Sequence, residues 1–237
     1  MGGSDDGGAG GLGDDPSTVS TVTARKPQPA ALTVKPLTLR TWPAFVALAE
    51  KHNGVWNGCW CTWFHPFDPE RGKTSEGNRR IKERLVREGI AHAALVFDGR
   101  AAVGWCEYGT PEELPRINHR KQYEAEMTSP PDYRLTCFFV DRDYRRTGVA
   151  AVALAGALDL IAAAGGGVVE AYPQDTAPGE KVSASFLYNG TRNMFERAGF
   201  TYDRPKGPKH CVMRKRVRAK PATVTTPARK ATKRASN

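Results

Sequence analysis

The stretch FFVDRDYRRTGVAAVALAGALDLIAAAGGGVVEAYP, residues 138–173, decides how the rest of the chain is read. It completes an apolar strand over 133–140, turns through Arg142, Arg145 and Arg146, and runs on from Gly148 as an Ala-rich helix to residue 164. Gly165, Gly166 and Gly167 stop that helix, and a second apolar strand covers 168–172. The helix is apolar on every side, which places it against a sheet. Its first turn leaves about four backbone N–H groups unpaired and carries a partial positive charge. Gly148 lets a ligand approach the backbone, Ala150 and Ala151 keep the surface small, and Arg145 and Arg146 add full charge. The junction therefore reads as a site for an anion, and a diphosphate suits it.

Working outward, residues 31–39 alternate as a first strand, and a helix follows between Thr41, read as its N-cap, and Gly54. Residues 54–69 are aromatic and Pro-bearing, a loop or irregular segment. Residues 74–89 form an amphipathic helix with Ile81, Leu85 and Val86 on one face. Residues 92–109 read as a hairpin whose Asp98-Gly99 pair suits a type I′ turn. A polar loop with one helical turn fills 110–132. After the opening stretch come a loop (173–189), a short helix ending at Gly199, and a final strand over 210–217. The order β-α-α-β-β-β-α-β-α-β calls for a mixed sheet with helices packed on it.

The 237 residues suit one domain with tails, and 40% hydrophobic content is enough for a packed core. Residues 1–30, rich in Gly, Ser, Asp and Pro, read as a disordered tail without a secretory h-region. Residues 218–237 read as a disordered basic tail. With +10 over the chain, −2 in the first thirty residues and +9 from Arg214 onward, residues 31–213 keep only +3. The tail is thus either a solubilising segment or a weak, salt-sensitive nucleic-acid contact, and the core charge argues against a chromatin-like DNA binder. No apolar run is long enough to span a membrane. Five cysteines in apolar runs, with no signal, fit reduced thiols in a cytoplasmic protein.

The fragment Arg145-x-x-Gly148-x-Ala150 resembles the R/Q-x-x-G-x-G/A signature of the GNAT acyltransferase superfamily, and FERAGF (195–200) resembles that family's aromatic-x-x-x-Gly-Phe ending. The resemblance covers residues 31–217. It implies an α/β fold of the α+β kind: a mixed, mostly antiparallel central sheet with flanking helices, opened between two splayed strands that form an acyl-CoA cleft. It implies that the pantetheine arm follows the backbone of Phe139 and Val140. The pyrophosphate would sit on Arg145, Arg146, Gly148, Val149, Ala150 and Ala151. The implied activity is transfer of an acetyl group from acetyl-CoA to a small-molecule or peptide amine, by direct attack in a ternary complex and without a metal. The alternative is a non-catalytic acyl-CoA-binding module tethered to nucleic acid by the basic tail.

Such chemistry needs a base for the ammonium, a donor for the oxyanion and an acid for the thiolate. Glu107, in an apolar strand where burial would raise its pKa, is the first choice for the base, and Glu170 is the second. The position where many family members carry an acidic Tyr is Phe195, which has no proton to give. Tyr188 and Tyr172 are the tyrosines nearby, and Tyr188 is the candidate acid. Cys137 lies on the strand expected beside the thioester and reads as a core residue before a nucleophile. Cys59, Cys61 and His65 form C-x-C-x₃-H without a fourth ligand, so no metal is assigned. The aromatics among them (Trp56, Trp60, Trp63, Phe64 and Phe67) either line an acceptor pocket or pack beneath the sheet.

Overall fold

The computed structural model describes residues 31–175 and 184–221. The N-terminal tail, most of the basic C-terminal tail and the segment 176–183 lie outside the described residues.

The elements follow in the order β1 (Thr33–Pro36), α1 (Trp42–Lys51), α2 (Ser75–Arg87), β2 (His92–Asp98), β3 (Ala101–Gly109), α3 (Arg120–Ala125), β4 (Tyr133–Val140), α4 (Val149–Ala163), β5 (Gly167–Ala171), α5 (Arg192–Arg197), β6 (Thr201–Pro205) and β7 (Cys211–Val217). They build one seven-stranded sheet in the order β1-β2-β3-β4-β5-β7-β6. Every pair is antiparallel except β4–β5, which α4 connects. The mixed, mostly antiparallel sheet with flanking helices expected from the sequence is therefore present.

Each face of the sheet has its own core. Phe45, Leu85, Leu95, Trp105 and Phe139 pack with α1, α2 and the loop joining them. Val96, Cys106, Leu135, Phe138 and Phe195 pack with α4 and α5. Helix α4 is not buried all round: Val149, Ala153, Leu154, Ala157 and Ile161 face the sheet, while Ala151, Ala155 and Asp159 are exposed. Its outer face is mostly alanine, a good helix former that asks for little cover, with Asp159 as its charged residue.

Local chemistry corrects several boundaries. Strand β6 was not expected from the sequence. The β2–β3 turn is centred on Gly99-Arg100, since Asp98 still pairs with Ala101. Only Gly99 has positive φ (+59°), the pattern of a type II′ turn rather than I′. Thr41 does not cap α1 with its side chain; its Oγ1 donates to the Pro36 carbonyl (2.8 Å). Thr74 does cap α2, accepting from the Gly77 amide at 2.9 Å. The described chain also passes residue 217: the Lys220 amide donates to the Ala162 carbonyl (2.8 Å), and its ammonium meets Asp159 at 3.0 Å.

The connection between α1 and α2 is unusual. Asn53, Val55, Trp56, Asn57, Trp60 and Cys61 all have positive φ, between +45° and +60°. Amides of this run bond backwards within it: Cys59 to the Val55 carbonyl four residues earlier at 2.8 Å, and Trp60 to that of Gly54 six residues earlier at 2.9 Å. Left-handed conformation costs L-residues roughly 1–2 kcal/mol each, most clearly a β-branched one such as Val55. Contacts from elsewhere must hold it, and two are direct: Asn78 Nδ2 donates to the Gly58 carbonyl at 2.7 Å, and Lys82 Nζ to that of Cys61 at 3.1 Å.

Gly104 shows how tightly β3, β4 and α4 meet. A Cβ there would lie 2.7 Å from Val149 Cγ1 and 2.8 Å from the Phe139 carbonyl oxygen. A backbone oxygen within a ladder cannot yield, so Gly104→Ala is expected to destabilise the fold by about 1–3 kcal/mol. The midpoint of urea unfolding measures this; an unchanged midpoint would mean that the three elements are packed more loosely than described.

Candidate active site

The cleft begins at a β-bulge. Along β3 and β4, Glu107 pairs with Cys137 but Tyr108 pairs with Leu135, leaving Thr136 as the extra residue. The β4–β5 ladder runs Tyr133–Val169, Arg134–Glu170, Leu135–Ala171 and stops there. Beyond Thr136, β4 keeps its partner β3 and loses β5, so the two parallel strands part where the bulge lies. The Thr136 carbonyl, turned out of the ladder, accepts from Asn189 Nδ2 at 2.5 Å.

Alternation fixes which backbone groups face the opening. The Asp141 amide donates to the Val103 carbonyl on β3 at 2.9 Å, so Asp141, Phe139 and Cys137 turn their polar groups toward β3. Those of Phe138 and Val140 face the gap. Of the expected pair Phe139 and Val140, parity thus aims Val140 at the cleft, with Phe138 in place of Phe139.

At the end of β4 the chain enters the arginine loop. Lys51 Nζ clamps Asp141 (2.7 Å) and Asp143 (2.8 Å), and these hydrogen bonds raise its pKa. A single 3₁₀ turn spans Arg142–Tyr144, where Asp141 accepts from the Asp143 amide at 3.1 Å. Tyr144 Oη donates to Asp98 at 2.9 Å. The loop is held from both sides before it reaches α4. Gly148 is the N-cap residue, with φ +90° and no side-chain cap on the helix. A Cβ at Gly148 would meet nothing within 4 Å. The amides of Gly148, Val149 and Ala150 therefore open on clear space beside the exposed Arg146. Of the expected anion residues, Ala151 has its amide committed to the Gly148 carbonyl (3.0 Å), while the others lie together next to the parted strands.

A cavity of about 340 Å³ lies on the α1–α2 side of the sheet, walled by Cys137 of β4, the left-handed connection (Trp56, Cys59, Cys61) and Tyr188. The aromatics left open by the sequence divide: Trp56, Trp63 and Phe64 line the cavity, Trp60 packs in the core, and Phe67 is exposed. Tyr188 Oη accepts from Asn118 Nδ2 at 3.3 Å, which leaves its own proton available. Burial, reinforced by Cys137, raises its pKa, so it stays protonated at neutral pH. Phe195 is fully buried against Phe138 and Phe200. Cys61 and Cys137 hold their thiols 3.0 Å apart. Burial drives the Cys61 pKa well up. At Cys137 the neighbouring thiol pulls down, yet burial and Glu107 outweigh it, and the group remains a thiol rather than a nucleophilic thiolate.

The two carboxylates proposed as bases are both committed elsewhere. Glu107 is wholly buried: Oε1 meets Lys82 Nζ at 2.6 Å and Oε2 accepts from Thr136 Oγ1 at 2.8 Å. Burial pushes its pKa upward, but the Lys82 ammonium outweighs burial and brings it down to about 2. The rise expected from its apolar strand is thus reversed by a buried counter-charge, and Glu107 cannot take a proton near pH 7. Simple alternation along β3 would put Val103 on the face of Trp105 and Glu107, but the irregularity between β2 and β3 turns it to the α4 side. Glu170 accepts from Tyr123 Oη (2.7 Å) and Tyr172 Oη (3.1 Å), with Arg204 at 3.5 Å and Arg214 at 3.7 Å. It is fully buried beneath α3, away from the cavity wall.

Sequence reasoning missed Lys82. Its three protons go to Glu107, to His65 Nε2 (3.0 Å) and to the Cys61 carbonyl (3.1 Å). His65 is held neutral, first by burial and then by Lys82. Its Nδ1 donates to the Glu113 carbonyl at 3.1 Å, which leaves Nε2 as acceptor. The C-x-C-x₃-H residues thus diverge: His65 joins the Lys82 cluster and Cys61 faces Cys137.

No family model matches the chain, and no curated protein matches it. Solved structures are similar in fold. One is described as a GNAT-family acetyltransferase of Desulfovibrio desulfuricans, with 16% identity over 79% of this chain and 99% of that one, TM-score 0.47. Another is a histone acetyltransferase HPA2-related acetyltransferase of Corynebacterium glutamicum, 17% identical over 81% and 98% of the two chains, TM-score 0.46. A third is the PaiA N-acetyltransferase of Thermoplasma acidophilum in complex with coenzyme A, 14% identical over 79% and 99%, TM-score 0.43.

Removing one partner of a buried ion pair leaves the other uncompensated, so Lys82→Met is expected to cost about 3–5 kcal/mol at pH 7. Because the folded pKa of Glu107 lies below its ordinary value of 4.5, its contribution is complete above about pH 4.5 and is lost as pH falls toward 2. Urea titrations of Glu107→Gln should therefore show a shallower fall in stability through that window than wild type. An identical acid slope in the two proteins would show that the pair does not form.

Proposed function

We propose that this chain is an acyl-CoA-dependent N-acyltransferase of the GNAT kind that moves an acetyl group from acetyl-CoA to an amine. One juxtaposition carries the reading: the bulge at Thr136 parts β4 from β5 beside the uncapped, sterically clear start of α4. The pyrophosphate of acetyl-CoA suits the α4 amides with Arg145 and Arg146, and the pantetheine amides suit the unpaired backbone groups of Phe138 and Val140. The thioester then comes beside Cys137, at the cavity where an acceptor can wait.

In the ternary complex the amine nitrogen bonds to the thioester carbonyl carbon, the tetrahedral oxyanion is held by a backbone amide on the open edge of β4, and the C–S bond breaks. Tyr188 gives its proton to the departing thiolate and takes in exchange, directly or through water, the proton that the attacking nitrogen must shed to become an amide, so it ends the cycle protonated. Among the described residues the cavity wall carries no carboxylate. In this reading the acceptor loses its ammonium proton to water, and the rate should follow the acceptor's own pKa rather than that of an enzyme carboxylate. Glu107 positions the site through Thr136 and Lys82 and does no proton transfer.

Calorimetry with CoA and a thiol-release assay over an amine panel test the reading. Gly148→Ala carries only the backbone strain of a side chain at φ +90°, about 1 kcal/mol or a few-fold in affinity. Gly148→Glu adds a charge against the phosphates and is expected to weaken CoA binding by about 10²-fold or more. Tyr188→Phe should lower kcat by about 10²-fold with CoA affinity unchanged. Equal CoA affinity in folded Gly148→Glu and wild type would move the cofactor elsewhere. CoA binding without thiol release across the panel would reduce the protein to an acyl-CoA-binding module.

A further inference from the structure

Next to the acceptor cavity lies a second, of about 390 Å³, and the two share Trp56, Cys59 and Trp63 as a common wall. The second differs in charge. Asp68 on its wall is bound to Arg84 at 2.7 Å, and Lys73 to Glu70 at 2.8 Å. Two guanidiniums make no ion pair among the described residues, although the charge of Asp68 acts on Arg71. Arg71 gives one nitrogen to the Pro66 carbonyl, while its Nε and Nη1 are shielded from water and unpartnered. Arg116 lies flat over Trp63, its guanidinium carbon 3.7 Å from the ring centroid.

The two cations sense each other. Burial first, and then the charge of Arg116, pull the Arg71 pKa below its ordinary value. Arg71 Nε and Nη1 are covered by protein, so Arg71 acts on the cavity as a charge beside the Arg116 guanidinium. Two guanidiniums beside a Trp ring are chemistry for an oxyanion. The adjoining cavity is aromatic, with thiols toward β4, and suits an apolar body.

We propose that the acceptor is an amine with an apolar body and, at the end remote from the amine, an oxyanion (a carboxylate or a phosphate) that binds between Arg71 and Arg116. This rests on the acyltransferase reading for the amine alone; the oxyanion site stands on its own residues. Held at both ends, the acceptor spans the shared wall, with its amine directed to Cys137 and its anion to the arginines.

The test is a tryptophan-fluorescence titration of the whole protein with 3-phenylpropionate, 2-phenylethyl phosphate and the uncharged 3-phenylpropionamide. At least one oxyanion should bind about tenfold or more tightly than the amide, and the preference should shrink as salt rises. Arg116→Gln and Arg71→Gln should each bring the affinities within about threefold. Arg71 also braces its loop, so Arg116→Gln, which loses only the stack on Trp63, decides if Arg71→Gln fails to fold. The relative strength of the two oxyanions identifies which chemistry the site takes. Equal or absent binding of acid and amide, or an intact preference in Arg116→Gln, would overturn the proposal. A CoA titration on the same sample separates the two ideas: an oxyanion preference without CoA binding retires the acyltransferase reading and leaves the arginine site standing.

Discussion

The ammonium of Lys82 ties together, by directed bonds, elements that also share an apolar core. From helix α2 it reaches a carboxylate on β3, an imidazole and a carbonyl from the segment that joins α1 to α2. An ammonium has three protons, and here all three are used. That completeness is what makes burial of the charge tolerable, because a buried cation with a spare donor would be far more costly. It also sets direction: three acceptors around one nitrogen fix where α2 lies on the sheet and how the aromatic segment is draped over it.

Glu107 passes this constraint on. Its second oxygen accepts from Thr136, the residue left over where β4 bulges. A bulge can slip along a strand unless something pins it. The hydroxyl pins this one, so the place where the sheet opens is tied to the same ion pair that orders the aromatic segment. The parted strands and the cavity beside them are thus two consequences of one buried cluster, which explains why Glu107 is kept ionised and out of reach.

The sheet was legible because its signals are local: alternation in β2 and β3, and the abrupt strand–arginine–glycine–helix passage around Arg145 and Gly148. Strand β6 was not, since TYDRP has no alternation and exists as the partner of β7. Glu107 was misread for a related reason. Its burial could be inferred from AVGWCEYG, but its counter-ion sits twenty-five residues earlier on another element. A signal for that partner was present: Lys82 falls inside the apolar stripe of Ile81, Leu85 and Val86, where a charge implies a buried mate. The acceptor side was illegible because GVWNGCWCTWFHPFDP adopts backbone angles that no propensity would assign to Val or Trp.

Those angles bear on the order of events as the chain assembles. A run of left-handed residues has no local preference to nucleate it, so Asn53–Cys61 cannot form ahead of its surroundings. It must wait for the sheet, for α2 and for the buried ammonium, and it settles last. The strain held in this segment is offset only while Val55, Trp60 and Cys61 stay buried and Lys82 and Asn78 keep their bonds to its carbonyls. The cavity thus has a floor set by the sheet and a wall whose shape belongs to its neighbours rather than to its own backbone preference.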